Sequence, residues 1–272
     1  YRQNIIYSGY SISVMSNQLI RMVTASAIIC LYFFTYNVVI GRTKIKNNLY
    51  LLIPVALDFI KIFLTSGRYE FLELFLEVVM LYALFYSMKN QKILHINIKF
   101  ILYGLVGVVC LLLFFYWIRG LVGRSSNQTI LDYVSSYFGG SIELFDLYVK
   151  EYKGATSVHF GNTTFASVYK YFNKFIGTNI NLNTINEFRR STNGILIGNV
   201  YTTFRFYLQD FGYFGLLFLS FLSSIVYSIL YYTALLSKSH IKKVIYAYLF
   251  YAIVLHSYSE QFFSVYLSVD IW

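Results

Sequence analysis

Long apolar runs separated by short polar stretches dominate the chain. About twenty consecutive apolar residues cross a bilayer as a helix, and such a segment must be helical because lipid offers the backbone no hydrogen-bond partners. The pattern therefore predicts an all-α polytopic membrane protein with six transmembrane helices. These are residues 18–40, 49–66, 71–88, 97–118, 213–237 and 244–266. Pro54 lies inside the second run and predicts a kink there.

The short loops between the predicted helices carry most of the lysines. Residues 41–48, 89–99 and 237–243 together hold eight lysines and one arginine. Short loops rich in lysine and arginine stay in the cytoplasm, and these three alternate correctly with six helices. The prediction therefore places the turn at 65–70, the long segment 119–211 and the chain near Glu260 on the outer face.

The long predicted outer segment, residues 119–211, is far longer than a simple connector. Apolar residues at helical spacing after Gly139 and Gly140 predict an amphipathic helix over 142–152 that lies on the membrane surface. A second helix is predicted over 164–175, and an asparagine-rich loop over 177–192. The sequence thus predicts helices in 1–118, a folded outer cap in 119–211, and two further helices in 212–272.

Composition supports the membrane class and removes several alternatives. The chain is 57% hydrophobic and 12% charged, whereas about a quarter of a soluble domain is charged. The net charge is +10. Because the basic residues lie between the spans, we expect no nucleic-acid binding. Cys30 and Cys110 lie inside apolar runs, and no metal or phosphate-loop motif is present, so no metal or cofactor is predicted. Because the sequence begins at Tyr1 and not at a methionine, we expect it to be a piece of a longer chain that has further spans before it.

Arginines, unlike lysines, concentrate in the predicted outer segments. Arginine binds phosphate or carboxylate oxygens with two parallel hydrogen bonds, which lysine cannot do. The set therefore predicts an anionic ligand on that face, and the alternatives are lipid headgroup contacts or ion pairs within the cap. The six are Arg68, Arg119, Arg124, Arg189, Arg190 and Arg205.

Three glutamates, Glu70, Glu73 and Glu77, share one face of the third predicted helix. A charge deep in a span costs about 2.5–3.5 kcal/mol, so Glu73 and Glu77 should face the interior of the bundle. A structural ion pair is the favoured interpretation for Glu77. The expected partners are Lys61, Arg68 and Arg205.

The stretch NVYTTFRFYLQDFGYFG at residues 199–215 places Arg205 and Asp210 beside the fifth predicted helix. We expect this stretch to lie at the outer interface, next to a cavity that holds water and an anion. Arg205 would bind the anion, and Asp210 would orient a partner or close the turn at Phe211-Gly212.

Other candidates for a general base are two histidines and a glutamate. His159 is the sole histidine of the predicted cap, although a lone loop histidine is more often incidental. His256 and Glu260 lie one turn apart in the last predicted helix, as a base with its orienting carboxylate or as a polar seam between helices. A neutral imidazole can take a proton from a hydroxyl near neutral pH.

Three stretches together resemble the Wzy-type polymerases of O-antigen and capsular polysaccharide, which are related to the O-antigen ligases. They are the 199–215 stretch, S-G-R-Y-E at 66–70 and Y-F-G-G-S-I at 137–142. The resemblance covers residues 50–265. It implies a metal-independent glycosyltransferase of the bacterial cytoplasmic membrane that acts on the extracytoplasmic side.

The resemblance also implies substrates and residue roles. The donor is a glycan on undecaprenyl pyrophosphate, and the acceptor is another lipid-linked repeat unit. Arginines would hold the pyrophosphate, first Arg68 and Arg205, then Arg119, Arg189 and Arg190. The first candidate for the base that deprotonates the acceptor hydroxyl is His159, and the other candidates are His256, Glu260 and Asp210. A flippase and a chain-length regulator are the implied protein partners.

Three alternatives stay open at the level of sequence. The first is a ligase that moves finished glycan onto another acceptor. The second is a lipid-linked sugar flippase or transporter, although such proteins usually show repeated halves and short loops on both faces. The third is a sensory or structural membrane protein.

Overall fold

The computed structural model describes residues 13–65, 68–91, 98–118, 129–155, 160–178, 180, 182, 186–191, 194 and 196–267, and these are mostly helical. The α-helices are α1 (Val14–Val39), α2 (Leu52–Thr65), α3 (Arg68–Asn90), α4 (Ile98–Ile118), α5 (Ile130–Glu151), α6 (Ala166–Tyr171), α7 (Thr203–Leu236), α8 (His240–Val254) and α9 (Phe262–Tyr266). The remaining elements are two 3-10 helices (Ile45–Leu51 and Leu255–Ser257), a π-helical turn (Phe172–Ile176), and the antiparallel strands β1 (Arg189–Arg190) and β2 (Leu196–Gly198).

Three helices of the described residues are long and apolar enough to cross a membrane. They cover Met15–Val39, Tyr69–Asn90 and Thr203–Leu236, and a shorter apolar stretch covers Gly104–Phe114 of α4. These helices indicate a membrane protein. The second predicted span is shorter than expected, because α2 has 14 residues and a helix of that length extends only about 21 Å.

Two details of the predicted helices are corrected. Pro54 does not kink a helix, because it is the third residue of α2, where the first-turn N–H groups lack intrahelical partners in any case. The predicted last span at 244–266 is not one helix. The observed helix α8 ends at Val254, a 3-10 turn follows to Ser257, and α-helix resumes at Phe262 as α9.

The chain divides into two compact units. Unit 1 comprises Tyr1–Ser125 and Leu230–Tyr251, and unit 2 comprises Ser126–Ile229 and Ala252–Trp272. The end of α7 and most of α8 therefore belong to unit 1, while most of α7 belongs to unit 2.

In unit 1, α1 lies along α2 and also contacts α3. Tyr32 of α1 packs its ring edge-on against Phe85 of α3, with 5.1 Å between centroids, and its hydroxyl hydrogen bonds to Nδ1 of His240. Lys89 at the end of α3 donates from Nζ to the carbonyl of Val39 at 2.6 Å. This bond satisfies one of the carbonyls that a helix C-terminus leaves without an intrahelical partner.

In unit 2, α5 starts earlier than the sequence predicted. Thr129 and Asp132 form a capping box at its N-terminus, which satisfies two first-turn donors, and the helix runs through Gly139 and Gly140. Gly140 faces β2, where an added Cβ would lie 2.9 Å from Cγ2 of Ile197. The diglycine therefore allows a close helix–strand contact and does not mark a helix start.

The helix α7 contains a break at Gly212, whose φ of 67° and ψ of −168° are not helical. L-residues rarely adopt such a conformation. The break separates a short helical segment, residues 203–211, from the apolar part that follows. The predicted span at 213–237 corresponds to this second part.

Candidate functional site

The most deeply buried arginine of unit 2 is Arg205, at the start of α7, with 5% of its surface exposed. The hydroxyl of Thr203 fixes this end of the helix by donating to the carbonyl of Ser259 at 3.0 Å. The guanidinium Cζ lies 3.7 Å from the ring centroid of Tyr201 and 4.7 Å from that of Tyr148. Tyrosine faces attract cations, so the two rings hold a charge that burial alone would disfavour.

Glu187 provides the countercharge for this arginine. Its Oε2 lies 2.6 Å from Nη2 of Arg205, and its Oε1 accepts a hydrogen bond from the hydroxyl of Tyr201 at 3.0 Å. The same Oε1 accepts a hydrogen bond from Nε of Arg189 at 3.2 Å and lies 3.1 Å from its Nη2. Nη1 of Arg189 lies 2.8 Å from Oε2 of Glu151. We call Glu151, Glu187, Arg189, Tyr201 and Arg205 the arginine cluster.

The arginine cluster controls the protonation of its members. Partial burial raises the pKa of Glu187, but the hydrogen bond and charge of Arg205 outweigh it, and the pKa lies below its usual range. Burial raises the pKa of Tyr201 to about 12 although Arg205 opposes this shift. At neutral pH the carboxylate is therefore charged, and the phenol keeps the proton that it donates to Glu187.

The cluster is charge-balanced but its donors are not all used. Two arginines face two glutamates, yet Nε and Nη1 of Arg205 are buried and have no hydrogen-bond partner among the described residues. A buried donor without a partner is unfavourable by about 1–3 kcal/mol. An anion with oxygen acceptors is the chemical class of ligand that would satisfy these donors.

The other predicted arginines divide into three groups. Arg189 joins the arginine cluster as described. Arg190 is exposed and donates to the carbonyl of Gly194 at 2.9 Å, so the structure does not bring it to Arg205. Arg119 and the base candidate His159 lie outside the described residues, and so does the side chain of Arg68, whose backbone begins α3.

Asp210 supports the backbone of unit 2. Its Oδ2 accepts from the N–H groups of Thr163 at 3.2 Å and Thr164 at 2.6 Å. The expectation that it closes the turn at Phe211-Gly212 is wrong, because the turn that it holds lies 46 to 47 residues earlier in the chain. The geometry assigns Oδ2 of Asp210 to this turn, while its Oδ1 has no hydrogen-bond partner among the described residues.

Glu260 has a similar structural role. Its Oε1 accepts from the N–H of Phe263 at 2.7 Å and its Oε2 from the N–H of Ser264 at 2.9 Å. Both oxygens thus cap the first turn of α9. The geometry assigns Glu260 to this cap.

His256 lies in the 3-10 turn between α8 and α9. The expectation that it shares a helix face with Glu260 is wrong, because the helix is interrupted after Ser257. Its ring packs edge-on against Phe204 at 5.2 Å and against Tyr207 at 6.1 Å between centroids. These neighbours place it near the start of α7, where Arg205 also lies.

The predicted inward orientation of Glu77 is confirmed, since this residue is only 1% exposed. Of the predicted partners, Lys61 lies 2.8 Å from Asp58 one turn earlier on α2 and interacts electrostatically with Glu73. Arg205 pairs with Glu187 in the other unit, and the side chain of Arg68 lies outside the described residues.

Sequence reasoning missed Glu187, Glu151, Asp58 and the two tyrosines around Arg205. Glu187 had a signal, because it comes two residues before Arg189 in the stretch NEFRR. The tyrosines had none, since 28 tyrosines give the sequence no reason to select these two.

Fold and site together define a helical membrane protein with a buried, ring-flanked arginine centre. No protein-family model matches the chain, and neither does a curated protein or a solved structure. The resemblance to Wzy-type polymerases is therefore carried by the sequence stretches alone.

Proposed function

We propose that the arginine cluster binds the pyrophosphate of a polyprenyl-linked oligosaccharide and that the chain joins such repeat units into a surface polysaccharide. The observation that carries this proposal is Arg205, a buried guanidinium with Nε and Nη1 unpartnered among the described residues. Phosphate oxygens are strong acceptors for guanidinium donors. The membrane helices support a substrate with a lipid anchor.

The proposed reaction is an inverting glycosyl transfer. The acceptor hydroxyl oxygen attacks the anomeric carbon of the donor sugar, and the bond from that carbon to the pyrophosphate oxygen breaks. The electron pair leaves with the pyrophosphate, whose growing negative charge Arg205 stabilises. The hydroxyl proton passes to a base.

Arg189 and Glu187 have supporting parts in this proposal. Glu187 holds Arg205 and Arg189 in place through Oε2 and Oε1, which keeps both guanidinium groups oriented before the substrate arrives. Pre-oriented donors stabilise charge without reorganising during the reaction. Arg189, which is half-buried, is the second proposed contact to the phosphates, and Arg68 and Arg119 keep that proposed role.

The proposed base is a histidine. Asp210 holds the backbone of Thr163 and Thr164 through Oδ2, and Glu260 uses both oxygens on backbone N–H groups. We therefore place His159 and His256 first as candidates. His256 belongs to the same unit as Arg205. The reaction is proposed for the outer face of the bacterial cytoplasmic membrane, with a flippase to deliver the substrate and a chain-length regulator as partners.

The test is to supply the purified protein in detergent with an undecaprenyl-pyrophosphate repeat unit and to separate the products on a gel. A ladder of products formed without added metal or nucleotide supports polymerisation. A single transfer to a different acceptor would instead identify a ligase. Movement of the lipid across a vesicle bilayer without new glycosidic bonds would identify a transporter and contradict the proposal.

A further inference from the structure

A second group of charged residues lies in unit 1, whereas the arginine cluster belongs to unit 2. It consists of Asp58 and Lys61 of α2 and Glu70, Glu73 and Glu77 of α3, and we call it the acidic cluster. Its members interact electrostatically with one another. The glutamates belong to the helix whose stretch Tyr69–Asn90 is apolar enough to cross a membrane.

Glu77 is the most buried member of the acidic cluster. It is 1% exposed, and its Oε1 has no hydrogen-bond partner within the part of the chain that the structure describes. The charged groups that interact with it there are Glu73 and Asp58, both acidic. A carboxylate at this position would thus meet like charges.

The other groups around the cluster are largely engaged. Lys61 lies 2.8 Å from Asp58 and also donates to the hydroxyl of Thr24 on α1 at 2.8 Å. Arg21 lies three residues before Thr24 on the same helix. The hydroxyl of Tyr248 on α8 hydrogen bonds to Glu73.

We propose that Glu77 is a proton-binding site inside the helical bundle and holds a proton at neutral pH. An ionised side chain in the middle of a membrane span is unfavourable by about 2.5–3.5 kcal/mol, and neighbouring carboxylates add repulsion. A bound proton removes the charge. It also gives Glu77 an O–H donor in surroundings rich in carboxylate acceptors.

A metal ion is a poorer occupant than a proton. Hard cations such as Ca²⁺ require about six to eight oxygen ligands, whereas backbone carbonyls inside helices are already hydrogen bonded. No group of three or more histidine, cysteine, aspartate or glutamate side chains in the described ranges has the geometry to hold a metal ion.

The proton site does not depend on the proposed glycosyl transfer. Glu73 lies one helical turn away on the same face of α3, interacts electrostatically with Glu77 and is bonded to Tyr248. In this proposal Glu73 is the carboxylate that would accept the proton of Glu77. The site would make the bundle responsive to proton concentration whichever reaction unit 2 performs.

Infrared spectroscopy of the whole protein in lipid vesicles tests the proposal. The carbonyl stretch of a protonated carboxyl group is distinct from that of a carboxylate. We expect this band at neutral pH in the wild type and in the control Asp146→Asn, whose aspartate is exposed and paired with Lys150. Glu77→Gln should lower the intensity of the band by one carboxyl group, because glutamine keeps the shape but carries no carboxyl group.

A second variant covers the case in which Glu77→Gln does not fold. Glu73→Gln removes a negative neighbour, so the band of Glu77 should persist at neutral pH but disappear at a lower pH than in the wild type. The proposal is overturned if the wild type shows no protonated band at neutral pH. It is equally overturned if the band keeps its full intensity in folded Glu77→Gln, or if the wild-type band titrates near the ordinary carboxyl value of about 4.3.

Discussion

The arginine cluster of unit 2 and the acidic cluster of unit 1 both bury charge, but they leave opposite groups unpaired. Within the described part of the chain, the groups without a hydrogen-bond partner in the arginine cluster are donors, Nε and Nη1 of Arg205. In the acidic cluster, under the same restriction, they are acceptors, Oε1 of Glu77 and Oε2 of Glu70. Buried polar groups normally have partners, so the kind of group that is left over underlies the ligand that we propose for each cluster. Free donors call for an anion, and free acceptors call for a proton.

Pairing also differs between the two clusters. Arg205 pairs with Glu187, whose side chain is 43% exposed, so this pair borders solvent. Asp58 and Lys61 are both largely enclosed, with 5% and 19% of their side chains exposed. A pair that borders solvent suits a site that a ligand can reach, while an enclosed pair suits a permanent element of the bundle.

The largest expected effect is on the arginine cluster. Arg205→Ala should reduce chain growth by about 10²–10⁴-fold, because two charge-assisted hydrogen bonds contribute roughly 1.5–3 kcal/mol each and each 1.4 kcal/mol is a factor of ten. Arg205→Lys should be nearly as impaired, since an ammonium cannot replace the planar guanidinium. Product ladders measure the effect.

The control for Arg205 is Lys150→Ala, which removes an exposed cation that pairs with Asp146 on α5. It should polymerise like the wild type. Equal chain growth in folded Arg205→Ala and Lys150→Ala would remove Arg205 from the proposed mechanism.

The second effect is on the enclosed pair of the acidic cluster. Lys61→Met should lower the free energy of unfolding by about 3–5 kcal/mol, because it leaves Asp58 enclosed and without its ion-pair partner. The double variant Asp58→Asn/Lys61→Met should recover much of that loss. Thermal unfolding in detergent measures both. Equal loss in the single and double variants would show that the pair is not the source of the effect.

The sequence predicted the apolar helices better than their ends or their charge partners. Tyr69–Asn90 follows from hydropathy, because its apolar residues are local in the chain. The break after Ser257 does not, since it depends on Glu260 capping α9. The sequence did not predict the pairing of Arg205 with Glu187 either, because the packing of unit 2 brings together two residues that lie 18 positions apart in the chain.

Asp210 gives an intermediate effect that separates a structural role from a catalytic one. Asp210→Ala should lower the free energy of unfolding by about 1–3 kcal/mol, because the buried N–H groups of Thr163 and Thr164 lose their acceptor. Asp210→Asn keeps an acceptor oxygen and should retain most of the stability and the activity. A folded Asp210→Asn protein without activity would instead indicate that Asp210 is the base.

The smallest effect is the response of the arginine cluster to acid. The pKa of Glu187 is lowered in the folded state, so its contribution to stability is present above the unfolded value of about 4.3 and is lost as pH falls through the lower folded value. Partial exposure keeps this contribution small. Thermal unfolding followed against pH should show the decline in the wild type and a weaker one in Glu187→Gln. Identical profiles would contradict the assignment.

Binding of the polyprenyl pyrophosphate itself tests the central claim most directly. Undecaprenyl pyrophosphate, without sugar, can be titrated calorimetrically into the wild type, Arg205→Gln and Lys150→Ala in the same detergent. We predict that Lys150→Ala binds like the wild type and that Arg205→Gln binds at least about tenfold more weakly, the loss of one charge-assisted bond. Equal affinity in all three folded proteins would contradict the claim that Arg205 binds the pyrophosphate.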